Sequence, residues 1–441
     1  MRATSLRGAK RRGNPEREKS IPLGIKKKEH KMKDSKSFLE SQKKEIIELQ
    51  RLLTSIPAIA PEGGGEGETK KADALEKWLK ENGFENIQRF EAPDSRVPSG
   101  SRPSLLVTIP GQIPEDQDNT RIWVMSHIDV VPTGDLSLWN TDPWKMEEKD
   151  GKLFGRGVED NQQGLCSSIF AALYFIKNNI KPAHTIKLLF VADEENGSSY
   201  GIIYLMKNFN LFKKSDVILI PDGGDSEGKT IEIAEKNLLW LCVHVLGKQT
   251  HGSRPDSGAN ACLAACDLSL KLNGLEKVFN KTDDLFEPNY STFQPTKRAK
   301  NVDSVNIIPG EDTFYMDCRI LPCYKLEDVL KKVDELCKEV EKTHGVKIEY
   351  STPQKSESPA TSKDAPVAQK LAKALKEVHG IDAKFIGIGG GTVGAELRRE
   401  GIDAVVWSTL DDQAHQPNEY CIVDNLIKDA QTLIQMFATL D

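Results

Sequence analysis

Short bare apolar runs alternate with helical stripes along most of this chain. Ile46, Leu49, Leu52 and Leu53 mark one face of an amphipathic helix, and Ala74, Leu75 and Trp78 mark a second. Strands are predicted at Ser104–Ile109, Arg121–Ser126, Thr185–Ala192 and Asp216–Pro221, with helices at Gly164–Asn178 and Ser199–Asn208. Strands apolar on both faces, alternating with helices, predict an α/β layer around a covered, mostly parallel sheet.

The rhythm then changes. Strand Leu238–Leu246, helix Ala259–Leu272, strands Asn301–Ile308 and Thr313–Ile320, helix Leu326–Lys342 and strand Val346–Tyr350 read as a ferredoxin-like βαββαβ unit. Helix Ala365–His379, strand Ala404–Trp407 and a helix from Val423 return to the first pattern. The expected organisation is a catalytic domain in two parts, residues 37–236 and 352–441, interrupted by an inserted domain at 237–351. Residues 1–36 carry thirteen Lys/Arg against four acidic residues and few large apolar side chains, so a disordered basic extension is expected there. Met32 is the expected natural start.

That basic segment leaves a net charge of −15 on the remainder of a chain whose total is −6. Such a balance argues against general affinity for nucleic acid or an anionic membrane. No apolar run is long enough for a membrane span, and no apolar stretch follows the basic N-terminus as in a secretory signal, so a cytoplasmic location is expected. The eight cysteines form no C-x-x-C pair and read as reduced thiols. Cys262 and Cys266, four apart, lack a matching pair for a thiolate zinc site.

Candidate chemistry gathers at strand ends. His127-Ile128-Asp129, Asp193-Glu194-Glu195 and Asp222 follow predicted strands, and Glu159-Asp160-Asn161 precedes a helix. In an open α/β sheet ligands collect beyond the carboxyl ends of the strands, so these segments could share one crevice. Acid groups clustered there repel one another unless cations neutralise them. Two divalent ions balance Asp160, Glu195, Asp222 and a bridging hydroxide, with neutral His127 and His415 completing the set. Nitrogen and oxygen donors without thiolate suit two Zn²⁺, with Co²⁺ or Mn²⁺ as substitutes.

The H-x-D motif at His127, the Asp160 segment, the Glu194-Glu195 pair, Asp222 and His415-Gln416-Pro417-Asn418-Glu419 together resemble one family. It is the dinuclear zinc amidohydrolases that include acetylornithine deacetylase, succinyl-diaminopimelate desuccinylase, aminoacylase and the cytosolic dipeptidases. The resemblance runs over residues 38–441 and implies that the inserted domain is a lid and homodimer contact. It implies that Asp160 bridges two ions, that His127 and Asp222 complete one site, and that Glu195 and His415 complete the other. Asp129 would orient the His127 imidazole, and Glu194 would be the general base. His251 would stabilise the oxyanion from the partner subunit's side. Arg319, helped by Asn306, would hold a substrate carboxylate, and the Gly389–Thr392 loop could bind it through backbone N–H groups at Gly391 and Thr392. The implied substrate is an N-acyl amino acid or a short peptide. Asp at position 222 leans toward the dipeptidases, whereas the Gly389–Thr392 loop leans toward the deacylases. A catalytically inactive binding protein is the non-enzymatic alternative, and the intact ligand set with Glu194 counts against it.

Overall fold

In the computed structural model, which describes residues 34–439, the larger sheet has eight strands. In spatial order they are Ile87–Pro93, Ser101–Ile109, Ile186–Val191, Ile122–His127, Val217–Asp225, Ala404–Thr409, Thr230–Glu235 and Lys384–Ile388. The central pairings of Ile122–His127 with both neighbours, and of Val217–Asp225 with Ala404–Thr409, are parallel. Antiparallel strands finish one edge. Ile122–His127 and Ile186–Val191 are buried along their whole length, as expected for strands covered on both faces.

One face is covered by the helices Lys43–Thr54, Thr69–Glu81, Gln162–Asn178, Pro366–His379 and Val423–Ala438. The other receives the shorter helices Ile202–Asn208 and Gly394–Arg399. Gln162–Asn178 is the central support, with fourteen consecutive buried residues from Gln162 to Phe175. Its first turn lies so close to the strand before Asp222 that a Cβ on Gly164 would stand 2.3 Å from the Pro221 carbonyl oxygen. Only glycine permits that approach.

The second sheet has four antiparallel strands in the order Thr292–Arg298, Glu311–Ile320, Asn237–Leu246 and Lys347–Ser356. Helices Ala261–Asn273 and Leu326–His344 cover one face around a separate apolar core. Along the chain this is βαββαβ, the expected ferredoxin-like arrangement. Together the two sheets form the mixed α/β architecture with a mostly parallel core and a small antiparallel subdomain.

Several elements differ from the pattern reading. The second strand of the inserted layer is Thr292–Arg298, not Asn301–Ile308, of which only Ile307–Ile308 pairs, against Thr250–His251. Thr292–Arg298 is an edge strand with Pro295 inside it and an exposed outer half, so it lacks the apolar run of a central strand. The last strand runs to Ser356, beyond the expected boundary at 351. Three strands of the main sheet, Ile87–Pro93, Thr230–Glu235 and Lys384–Ile388, were not expected: two lie at its edges, and the third carries the buried Glu232 and Glu235. A helix begins at Ser35, and the rest of the expected basic extension lies outside the described residues.

Phe170, fully buried on the central helix, packs against Trp78 with ring centroids 5.7 Å apart. Truncation to Ala leaves a ring-sized void beneath the sheet, and a loss of about 3–5 kcal/mol is expected in denaturant unfolding.

Candidate metal centre

His127 closes the Ile122–His127 strand and is almost fully buried. Its Nδ1 lies 3.0 Å from the Asp129 carbonyl oxygen. Its Nε2 lies 2.9 Å from Asp160 Oδ1 and 3.6 Å from Asp222 Oδ1. With Nδ1 donating to Asp129, a neutral imidazole turns its lone pair on two carboxylate oxygens. That arrangement is repulsive without a proton or a cation between them.

Asp160 faces both ways. While Oδ1 meets His127, Oδ2 stands 3.2 Å from His415 Nε2, which is also 2.9 Å from Glu195 Oε2. Two groups result, His127–Asp160–Asp222 and Asp160–Glu195–His415, each with one candidate ligand atom per residue within 4.8 Å of the others. The shared residue presents one oxygen to each group. The imidazole and carboxylate donors fit a pair of divalent ions of the zinc type.

A second tier of buried carboxylates holds these candidate ligands. Glu419 accepts from the N–H groups of Glu159 at 3.0 Å and Asp160 at 3.1 Å through Oε1. Its Oε2 accepts from Gly157 N–H at 2.9 Å and Arg156 Nη1 at 2.7 Å. Glu159 reciprocates by accepting from the N–H groups of Asp411 and Gln413, which lead into His415. Asn161 Nδ2 donates to Asp222 Oδ1 and to the Pro221 carbonyl, at 2.6 Å each. Asp129 differs from expectation in the detail of its role. Its carboxylate is 3.4 Å from the imidazole and accepts the N–H groups of Glu194 and Glu195, both at 3.1 Å. Behind that loop, Arg102 pairs with Glu68 and lies 3.4 Å from Asp193. Lys71 Nζ is buried without a hydrogen-bond partner among the described residues, attracted by Asp129, Glu68 and Glu419, and burial pulls its pKa down to about 8.

The electrostatics are those of a site short of positive charge. Hydrogen bonds to Asp160 and Glu195 push His415 up to about 10. Burial opposes a charged His127, yet the surrounding Asp222, Asp129 and Asp160 raise its pKa well above the usual value. Glu195 is raised to about 7 by burial and by Asp160. Burial, then Asp222, raises Glu194 well above the carboxylate range. The Glu194 side chain makes no hydrogen bond among the described residues and lines a cavity of about 190 Å³.

Of the remaining candidates, Gly391 and Thr392 line the same cavity as Glu194, whereas His251, Asn306 and Arg319 do not. His251 is exposed on a two-stranded ribbon, its Nδ1 2.8 Å from Ser253 Oγ. Asn306 lies in the turn just before that ribbon, where its carbonyl accepts Gly252 N–H at 2.7 Å, and among the described residues no hydrogen bond joins it to Arg319. Arg319 and Thr392 are bonded to the chain's own carboxylates, Asp317 and Glu235, and Gly391 packs beside Leu238. The residues missed by sequence reasoning are Glu419, Glu159, Asn161, Arg102 and Lys71. Three of them flank Asp160 or follow His415 by four positions, which was the available signal.

The sequence profile of Peptidase family M20/M25/M40 matches residues 123–439. The chain belongs to this family and is a metallohydrolase acting on amide or peptide bonds. It is 39% identical over 409 residues to an uncharacterized metallohydrolase of Methanocaldococcus jannaschii, covering 89% of this chain and 98% of the relative. It is 25% identical over 381 residues to the succinyl-diaminopimelate desuccinylase of Rickettsia bellii, covering 85% and 92%. In fold it is similar to the aminopeptidase PepT of Bacillus cereus, with TM-score 0.72, 20% identity and coverage of 91% and 98%. The described residues contain no helix long and apolar enough to cross a membrane.

Two outcomes are expected. Glu419→Gln removes the charge that gathers the N–H groups around Asp160, and zinc affinity should fall about 10–100-fold in chelator-competition titrations. Metal entry must also displace the proton that His415 holds up to about pH 10 and, at lower pH, the one that Glu195 holds up to about 7. Zinc affinity therefore rises with pH between about 6 and 9, most steeply at the acid end, with proton release visible by calorimetry in buffers of different ionisation enthalpy.

Proposed function

We propose that this chain hydrolyses the amide bond of a small N-acyl amino acid or dipeptide-like substrate. His127, Asp160 and Asp222 would hold one divalent ion and Asp160, Glu195 and His415 the other. The observation that carries this reading is the opposed placement of the two Asp160 oxygens, one toward each imidazole. Zinc is the proposed metal, with cobalt or manganese able to substitute. The ions supply Lewis-acid polarisation of the scissile carbonyl and ease deprotonation of water near neutral pH.

The protein's own groups do the rest. Glu194, unbonded and facing the cavity, takes a proton from the attacking water and returns it to the departing amine. Asp129 fixes the Glu194 and Glu195 backbone, so the base and the adjacent ligand move as one piece. His251, exposed on its ribbon, and Asn306, exposed in the turn just before it, are proposed to reach the site of a partner subunit in a homodimer built through the inserted layer, where the imidazole would stabilise the oxyanion. All eight cysteines are free thiols, in keeping with the reducing cytoplasm proposed as its location.

A dipeptidase is the second reading, favoured by Asp rather than Glu at position 222. Amine release from N-acyl amino acids and from free-amine dipeptides by the zinc-loaded chain separates the two. Glu194→Gln should retain both metal equivalents and lose about 10²–10⁴-fold in kcat on whichever class is turned over. Unchanged turnover would remove Glu194 from its role.

A further inference from the structure

The two faces of the larger sheet are covered unequally. Five helices of twelve to seventeen residues close one face. The other receives Ile202–Asn208 and Gly394–Arg399, seven and six residues long. Helices that short cover little of a sheet. Residues of both, with the segments that follow them, line a cavity of about 550 Å³, the size of a small-molecule site. Its apolar lining is the margin of the core on that face. Ile203, Met206, Leu211 and Phe212 pack on this core yet stay only partly buried, and Phe209 is 36% exposed. Single exposed apolar residues are ordinary, but a contiguous group around a hollow marks a binding surface.

The charged part of the lining has cations to spare. Lys207, Lys214 and Arg399 stand there with Glu396 and Glu400. Glu396 is paired with Arg399, whose Nη1 also donates to the Glu357 carbonyl at 2.8 Å. Among the described residues Lys207 and Lys214 have neither a hydrogen bond nor an ion pair. The Lys214 ammonium reaches the turn that leads into Ile402, 3.7 Å from where a Cβ on Gly401 would stand. Two uncommitted ammonium groups therefore face one uncommitted carboxylate, Glu400, in a chain whose net charge is −6.

We propose that this cavity is a second ligand site, separate from the candidate metal centre, for a small amphipathic monocarboxylate. Its hydrocarbon part covers the side chains that the two short helices leave open. Its carboxylate takes the place beside Lys207 and Lys214 that no acid of the chain fills. An organic cation of the same shape meets like charge there, and a neutral alcohol gains the apolar lining without the ammonium groups. A dianion must bring its second charge against Glu400 or onto apolar surface. The site shares only Glu396 and Arg399 with the cavity beside Glu194, and the proposal is independent of the reaction proposed above.

The test titrates octanoate, octanol and octylammonium into the zinc-loaded full chain by calorimetry. Octanoate is expected to bind about tenfold or more tightly than either of the others, with an affinity that falls as salt is raised. Lys207→Gln combined with Lys214→Gln changes two exposed side chains and should abolish that preference while leaving zinc content and octanol binding unchanged. Met206→Trp should fill the apolar space and weaken octanoate and octanol alike by about tenfold or more. Octanoate that does not bind, or binds no better than octanol, would overturn the proposal. So would octanoate binding that the lysine variant leaves untouched, which is how a carboxylate held by the metal ions would behave. The lysine variant and the wild-type comparison decide the matter even if the Met206→Trp chain fails to fold.

Discussion

The structure is organised around an excess of buried negative charge at the ends of its central strands. Asp160, Glu195 and Asp222 converge with His127 and His415 on a few ångströms of space. Like charges at that separation in a poorly hydrated site cannot all stay ionised without cations among them. The shifted His127, His415, Glu194 and Glu195 are the visible signs of that demand. Divalent ions bound there would relieve it with more charge per volume than protons can, and would so stabilise the local arrangement.

A second constraint follows from the first. Groups that would repel one another must be held by something other than mutual attraction, and backbone N–H groups serve here. Glu419, Glu159 and Asp129 each bind the N–H groups of a loop that carries a candidate ligand, so three further acids anchor those residues through the main chain. Arg156 offsets Glu419, while Arg102 and Lys71 lie behind the opposite loop. The core near the site is therefore polar to an unusual depth, and Gly164 lets the central helix approach closely enough for Asn161 to reach Asp222.

Much of this was legible in the chain. Strands such as Ile122–His127 are bare apolar runs that end in a functional side chain, and both periodicity and position reveal them. Thr230–Glu235 hid because Glu232 and Glu235 interrupt its apolar character, and their burial is a tertiary fact. Thr292–Arg298 hid because an edge strand need not be apolar and tolerates Pro295. The five candidate ligands stood out by residue type after a strand or before a helix. Their supports did not, since a glutamate that binds backbone N–H groups looks like any other glutamate. Arg319 and Thr392 show the converse limit: residue type suggested donors for a substrate, and only the fold shows that Asp317 and Glu235 have claimed them.

The reciprocal clamp between Glu159 and the 411–413 backbone, and between Glu419 and the 157–160 backbone, joins segments more than 250 residues apart. The inserted layer must be synthesised between them. A ribosome-bound chain can complete its first strands and helices long before His415 and Glu419 exist. Until then it holds a half-built cluster with acids and no second imidazole. The candidate cluster can therefore close only after the C-terminal segment has folded against the first part of the chain.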